Sequence, residues 1–219
     1  MVIKMEQDFK TERDRMVEEQ LIPRGIKSAS VLDAMRSVPR HVFVPENYHN
    51  SAYIDAPLPI GHEQTISQPY IVAYMTEQLE PVHGIRILEI GTGSGYQAAI
   101  LHYLGCEVFT IELLDQLADN AKKNFAISGI DGIKAKSGNG YSGWQEEAPF
   151  DAVIITAAPE EIPMNLIEQL RDDGKMILPV GKPHEVQSLR LLTKKDGRII
   201  DKELLLVRFV PMVKNQIWR

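Results

Sequence analysis

Between residues 85 and 180 the chain alternates short apolar runs with helical segments, and this alternation narrows the possible folds more than any other feature. The runs are IRILEI (85–90), EVFTIE (107–112), GIKAKS (132–137), DAVIIT (151–156) and GKMILPV (174–180), and helical periodicity occupies 96–104, 114–127 and 163–171. Strand and helix in turn at this spacing imply an α/β architecture: a mostly parallel, doubly wound, Rossmann-like sheet with helices on both faces. ILEI and AVIIT are continuously apolar, as strands covered on both sides must be. Farther along, Asp196-Gly197 separates SLRLLTKK from RIIDKELLLVRFV, a tight-hairpin signal, so the sheet is expected to end in an antiparallel pair.

Ahead of this pattern, residues 5–53 read as helical and strongly charged. RMVEEQLI places Met16, Val17, Gln20 and Leu21 on one stripe, and a second helix, SVLDAMRSV, closes at Pro39. Residues 54–69, IDAPLPIGHEQTISQP, hold prolines at 57, 59 and 69 and no helical period, which reads as a loop or irregular strand. The chain thus divides into a helical segment with a substrate and cofactor loop (1–69) and an α/β domain (70–219), expected to form one structural unit. A net charge of −6 weighs against a nucleic-acid partner. No apolar run approaches a membrane span and the N-terminus lacks a signal-peptide core, so a cytoplasmic protein is expected. The sequence leaves oligomeric state open and favours a monomer. Cys106, the one cysteine, sits in an apolar run and reads as a buried strand residue.

LEIGTGSGYQ (88–97) lies where the first strand becomes the first helix, the place at which open α/β sheets bind ligands. A packing turn needs one glycine, whereas Gly91, Gly93 and Gly95 together favour a nucleotide. Tyr96 stands where a dinucleotide fingerprint needs its third glycine, the phosphate-loop string is absent, and Thr92 rules out a nucleophile elbow at Ser94. What remains is E-x-G-x-G-x-G. Glu89, just before the glycines, would repel a pyrophosphate but suits the cationic amino group of a methionine moiety. Glu112, 21 residues beyond Gly91, ends the second strand and can accept both hydroxyls of an adenosine ribose. The favoured ligand is S-adenosyl-L-methionine, and the joint signal is that of a class I methyltransferase.

The acceptor follows by elimination. The N/D-P-P-Y motif of base-amine methylation is missing from IITAAPEEIP, Cys106 is on the wrong strand for cytosine carbon chemistry, and the six histidines are too scattered for a metal site. A carboxylate fits better. It is ionised at pH 7, so the protein need only orient it, partly desolvate it and exclude water. HEQTISQP (62–69) supplies small hydroxyl and amide groups for that. Ser67 in that string can equally cap the helix that Pro69 opens.

RMVEEQL, RGI, VLDAMRSVPRHVFVPE, AYIDAPLPIGHEQTISQPYIVAYM, ILEIGTGSGYQAAIL, YSGW, FDAVIITAAPEEIP, LPVG and VRFVPM resemble, in order and over nearly the whole chain, the protein-L-isoaspartate O-methyltransferase family. PLPIGHEQTISQPY is specific to that family; the glycine motif marks only the superfamily. The resemblance implies methyl transfer from S-adenosylmethionine to the free α-carboxyl of L-isoaspartyl residues in damaged proteins, whose ester then closes to a succinimide that can reopen as aspartyl. It implies Ser67 as the active-site serine, with cofactor contacts at Thr65, Ile66, Ser67, Glu89, Gly91, Thr92, Gly93, Ser94 and Glu112. It further implies a peptide groove along the proline-rich loop and Leu178–Gly181, whose backbone would pair with the substrate. Where the family usually has G-D-G holding the adenine amino group, this chain has Gly138-Asn139-Gly140, so Asn139 and Gly140 are expected at a retuned adenine contact. Glu63 stands where relatives often have glycine. A carboxyl or small-molecule O-methyltransferase, or a cofactor-binding module without catalysis, remain the alternatives.

Overall fold

The structure, a computed structural model, describes residues 2–215; Met1 and 216–219, the outer ends of the two segments read from the sequence, lie outside it. Helix α1 (Val2–Arg15) runs into a π-helical turn, Met16–Leu21, and α2 (Ala29–Ser37) follows. Met16, Val17 and Leu21 are buried as the stripe requires, and the half-buried Gln20 uses its Nε2 to donate to the Tyr53 carbonyl at 3.1 Å.

Residues 54–69, expected as loop or irregular strand, contain a small antiparallel hairpin of β1 (Leu58–Gly61) and β2 (Gln64–Ile66). Its turn is His62-Glu63, with φ of 52° and 57°. Left-handed backbone at both central positions is what a two-residue hairpin needs. The family's glycine would sit at Glu63 without strain, whereas a glutamate there costs about 1 kcal/mol. Helix α3 (Pro69–Leu79) comes next. Ser67 does not cap it. The N-cap is Gln68, and Asp55 does the capping from a distance: its Oδ1 accepts from the Tyr70 N–H at 3.0 Å, and its Oδ2 accepts from Gln68 Nε2 at 2.5 Å and pairs with Arg24.

The main sheet is built from β3 (Arg86–Ile90), β4 (Glu107–Glu112), β5 (Lys134–Ser137), β6 (Phe150–Ile155), β7 (Leu170–Val180), β8 (Gln187–Lys195) and β9 (Arg198–Val207). Their order across the sheet is β5-β4-β3-β6-β7-β8-β9, the first five parallel and the last two antiparallel. Asp196 and Gly197 turn the final hairpin at φ of 50° and 70°, as expected from the dipeptide. Strand β9 is left as an edge, with Asp201, Lys202 and Glu203 exposed on it. Helices α4 (Tyr96–Tyr103) and α5 (Asp115–Ile127) match their helical periods. Helix α6 (Met164–Glu168) is shorter than 163–171, because Leu170 already pairs with Phe150. The register then slips to Ala152↔Lys175, and the extra residues are absorbed at Asp173, where φ is 59°.

Side chains of successive strand residues face opposite sides. Ile87, Val108 and Ile154 pack with Met16, Met35, Phe43 and Leu101 in one apolar cluster, so the N-terminal helices share a core with the sheet. Leu88, Phe109, Val153 and Met176 pack with Leu166, Ile167 and Met212 on the other face. Glu89 and Glu112 fall on the same face as Ile87 and Val108, under the N-terminal segment.

Candidate active site

The chain reverses its direction of winding between β3 and β6, whose C-terminal ends therefore border a crevice. The glycine turn leaves β3 there. All three glycines are demanded by the turn itself, contrary to the expectation that one would suffice: Gly91, Gly93 and Gly95 have φ of 94°, 54° and 92°. A Cβ at Gly91 would lie 2.6 Å from Thr156 Oγ1, and one at Gly95 would strike the Phe125 ring at 2.5 Å. At Gly93 the nearest atom is an Ile60 methyl at 3.4 Å, an ordinary contact, so of the three only this position has room for a Cβ.

Four of the turn's N–H groups are already used. Gly91 and Thr92 donate to the Ile111 carbonyl at 2.9 and 3.3 Å, Gly93 donates to Glu112 Oε2 at 2.8 Å, and Gly95 donates to the Thr92 carbonyl at 2.8 Å. This is the opposite of a phosphate cradle, whose donors point at the ligand. Glu112 Oε1 accepts from the Leu114 N–H at 3.0 Å, so each carboxylate oxygen carries one bond and keeps capacity for another.

Parallel pairing sets Glu89 opposite Thr110. The Thr110 hydroxyl donates to Glu89 Oε2 at 2.5 Å, and the Thr92 hydroxyl lies 2.5 Å from that of Thr110. Glu89 is fully buried, and its Oε1 has no hydrogen-bond partner within ordinary distance among the described residues, the Ala98 backbone bearing on the carboxyl only slightly. Burial pushes its carboxyl up to about 8, helped by the charge of Glu112 and opposed by the Thr110 hydroxyl. An orphaned, buried acid fits a cationic group arriving from the cavity it borders.

That cavity has a volume of about 280 Å³. The hairpin contributes Thr65, Ile66 and Ser67 to its wall, and the turn contributes Glu89, Gly91, Thr92, Gly93 and Ser94. Glu112 and Gly140 complete the expected set, and Glu63 lines the same space. Among the described residues no lysine or arginine does. Asn139 stands apart from the other expected residues: it is not in the wall, because its Oδ1 turns back to accept from the Tyr141 N–H at 2.9 Å, capping a 3-10 turn.

A second cavity, about 600 Å³, adjoins the first. Arg24 and Arg208 border it, together with Pro57, Tyr70 and apolar residues at the end of β9. Leu178–Gly181 do not. Leu178–Val180 end β7 and pair with β8, whereas the pairing of β7 with β6 stops at Ile177; Gly181 follows the strand, and its N–H donates to the Pro159 carbonyl at 3.0 Å. Ser67 borders both cavities and its hydroxyl has no hydrogen-bond partner among the described residues.

Sequence reasoning missed Thr156 and Val210, which also border both cavities, and Met212. Thr156 could have been found as the residue after β6 at the switch point. Val210 and Met212 are placed by tertiary bonds to Ala158, whose N–H donates to the Val210 carbonyl at 2.8 Å while its own carbonyl accepts from Met212 at 2.8 Å.

The raised Glu89 carboxyl has a measurable consequence. Its folded pKa lies above the ordinary 4.5, so the folded protein holds a proton that the unfolded chain releases between about pH 4.5 and 8, and stability falls as pH rises through that window. Glu89→Gln removes this loss, so the ligand-free variant gains on the wild type in melting temperature from pH 5 to pH 8. Parallel melting curves for the two proteins would contradict the burial of an acid here.

The comparisons with known proteins agree with one another. The family model "Protein-L-isoaspartate(D-aspartate) O-methyltransferase (PCMT)" matches residues 11–217. A protein from Gloeobacter violaceus named protein-L-isoaspartate O-methyltransferase is 51% identical over 92% of this chain and 98% of its own length. One of the same name from Methanoculleus marisnigri is 51% identical over 95% and 94%. Among solved structures, a putative protein-L-isoaspartate O-methyltransferase from Plasmodium falciparum, in complex with S-adenosyl-L-homocysteine, aligns at a TM-score of 0.81 with 30% identity, covering 93% of this chain and 99% of that one. A further structure of that name aligns at 0.83 with 29% identity, covering 93% and 66%.

Proposed function

The chain belongs to the protein-L-isoaspartate O-methyltransferase family, and from that membership and the two adjoining cavities we propose that it methylates the free α-carboxyl of L-isoaspartyl residues in damaged proteins. The observation that carries the proposal is the contrast between the cavities: the smaller is lined by Glu63, Glu89 and Glu112 with no lysine or arginine among the described residues, and the larger has Arg208 and the Asp55-paired Arg24. The first suits a cationic cofactor and the second a carboxylate substrate, and Ser67 stands where they meet.

Bound in the acidic cavity, S-adenosylmethionine supplies a methyl group activated by a sulfonium centre. Glu89 Oε1 is the acceptor for its cationic amino group, and the spare capacity of the Glu112 oxygens serves the ribose hydroxyls. Thr65, Ile66, Thr92, Gly93, Ser94 and Gly140 enclose it, and Gly93 leaves room because it has no Cβ. Asn139 acts on the adenine end indirectly, through the turn it caps. The Ser67 hydroxyl donates to the substrate carboxylate and fixes the oxygen that accepts the methyl. No residue need remove a proton, because the acceptor is already an anion. We assign the enzyme to the cytoplasm, acting as a monomer, with 1–69 and 70–219 working as one unit over their shared core.

A labelled-methyl assay tests the proposal with an isoaspartyl peptide and its aspartyl twin. The isoaspartyl peptide alone is expected to take up label. Equal labelling of both, or labelling only of a small carboxylic acid, would favour the broader carboxyl methyltransferase reading; no labelling at all would favour a binding module.

A further inference from the structure

Four described residues border both cavities: Thr65 and Ser67 from the β1–β2 hairpin segment, Thr156 after β6, and Val210. If methyl transfer runs as proposed above, the group crosses the opening these four frame, and what they present to it acts on the reacting atoms. Val210 offers only apolar surface, and Thr65 is exposed. Ser67 and Thr156 present half-buried hydroxyls, and the two differ in one respect. The hydrogen of Ser67 is uncommitted among the described residues. That of Thr156 is taken: Oγ1 donates to the Gly91 carbonyl at 2.7 Å, with the Ile90 carbonyl 3.1 Å away. The Thr156 N–H also donates to the Ile90 carbonyl at 3.0 Å. Glycine at 91 is what permits this approach, since a Cβ there would lie 2.6 Å from Oγ1.

We propose that Thr156 is a positioning residue for methyl transfer. Its hydroxyl ties the first glycine of the turn to the end of β6, which fixes the cofactor-binding turn relative to Ser67. With its hydrogen spent on that bond, Oγ1 faces the opening with lone pairs only. It cannot offer the substrate carboxylate a second donor and draw it out of line from Ser67, and its lone pairs lie well beside a methyl group that carries partial positive charge.

The test is steady-state kinetics of Thr156→Val and Thr156→Ser with the isoaspartyl peptide and S-adenosylmethionine, both saturating, alongside calorimetric binding of S-adenosylhomocysteine and melting temperatures. Thr156→Val keeps the shape and loses the hydroxyl; its kcat is expected to fall at least about tenfold, with peptide KM and S-adenosylhomocysteine affinity within about threefold of wild type. Thr156→Ser keeps the hydroxyl and is expected to restore kcat to within about threefold. A Thr156→Val enzyme that is less stable but fully active overturns the proposal, as does a serine variant as slow as the valine one. A valine variant whose one defect is weaker S-adenosylhomocysteine binding, with kcat at saturating cofactor unchanged, would make the hydroxyl a support of the cofactor site alone and also overturn it. A wild-type enzyme that fails to methylate the peptide refutes the proposed function instead, so the two failures are distinguishable.

Discussion

Ser67→Ala is expected to lower kcat/KM for an isoaspartyl peptide by about 10- to 100-fold, the value of a hydrogen bond to an ionised group. The fold should not suffer. Asp55, not Ser67, caps helix α3, and the Ser67 hydroxyl bonds nothing among the described residues, so melting temperature is expected to stay unchanged. Affinity for S-adenosylhomocysteine should stay within about twofold, since only one small hydroxyl leaves a wall of many residues. The division of the loss is informative. The acceptor carboxylate gives up its negative charge as the ester forms, so a donor to it stabilises the ground state at least as well as the transition state. A loss confined to peptide KM would make Ser67 a binding group; a loss in kcat would make it the group that aims the oxygen. The pH profile should not move in either case, because Ser67 exchanges no proton. Unchanged turnover and KM at unchanged stability would remove Ser67 from the reaction.

Glu112→Ala should have the larger effect on the cofactor. The carboxylate accepts from Gly93 at 2.8 Å and Leu114 at 3.0 Å, so its removal strips two backbone donors of their partner in addition to any ribose contact. A charge-assisted bond to the ribose is worth about 1.5–3 kcal/mol, which puts the loss of S-adenosylmethionine affinity at roughly 10- to 100-fold. Glu112→Gln retains an acceptor oxygen and should lose about tenfold. Calorimetry that finds both variants binding like wild type would exclude Glu112 from the cofactor site. A fall in melting temperature is expected for the alanine variant even without ligand, because the turn loses its anchor.

The parallel core of the fold was legible because its physics is local. The runs at β3, β4 and β6 are apolar since both their faces are covered, and Asp196-Gly197 declares a hairpin by residue type alone. The β1–β2 hairpin was hidden because His62 and Glu63 occupy left-handed backbone that neither residue favours, so the turn carries no compositional mark. The start of β7 was read as helix because its pairing with Phe150 precedes the register slip, a matter of tertiary contact. At the site, the glycine motif and the two acids were legible from spacing. Their reasons were only partly so: the glycines answer to φ and to Thr156 and Phe125 before any ligand is considered. Leu178–Gly181, expected along the substrate groove, lie outside the wall of the second cavity, because Leu178–Val180 are drawn into pairing with β8 and Gly181 bonds the Pro159 carbonyl.

Strand β9 has a consequence for the company this enzyme keeps. An open sheet edge is a template for any extended chain that meets it, and damaged, partly unfolded proteins are rich in such chains. Aggregation with its own clients is therefore the natural hazard of a repair enzyme with an unpaired strand. Asp201, Lys202 and Glu203 lie exposed in the middle of β9, and Arg190 of the neighbouring strand holds Asp201 through Nε at 2.9 Å. A desolvated edge-to-edge contact would have to bury that row of charges, which blunts β9 against annealing to a client along its length. The apolar residues at its end, Leu205 to Val207, wall the larger cavity, and Leu206 is the exposed one among them.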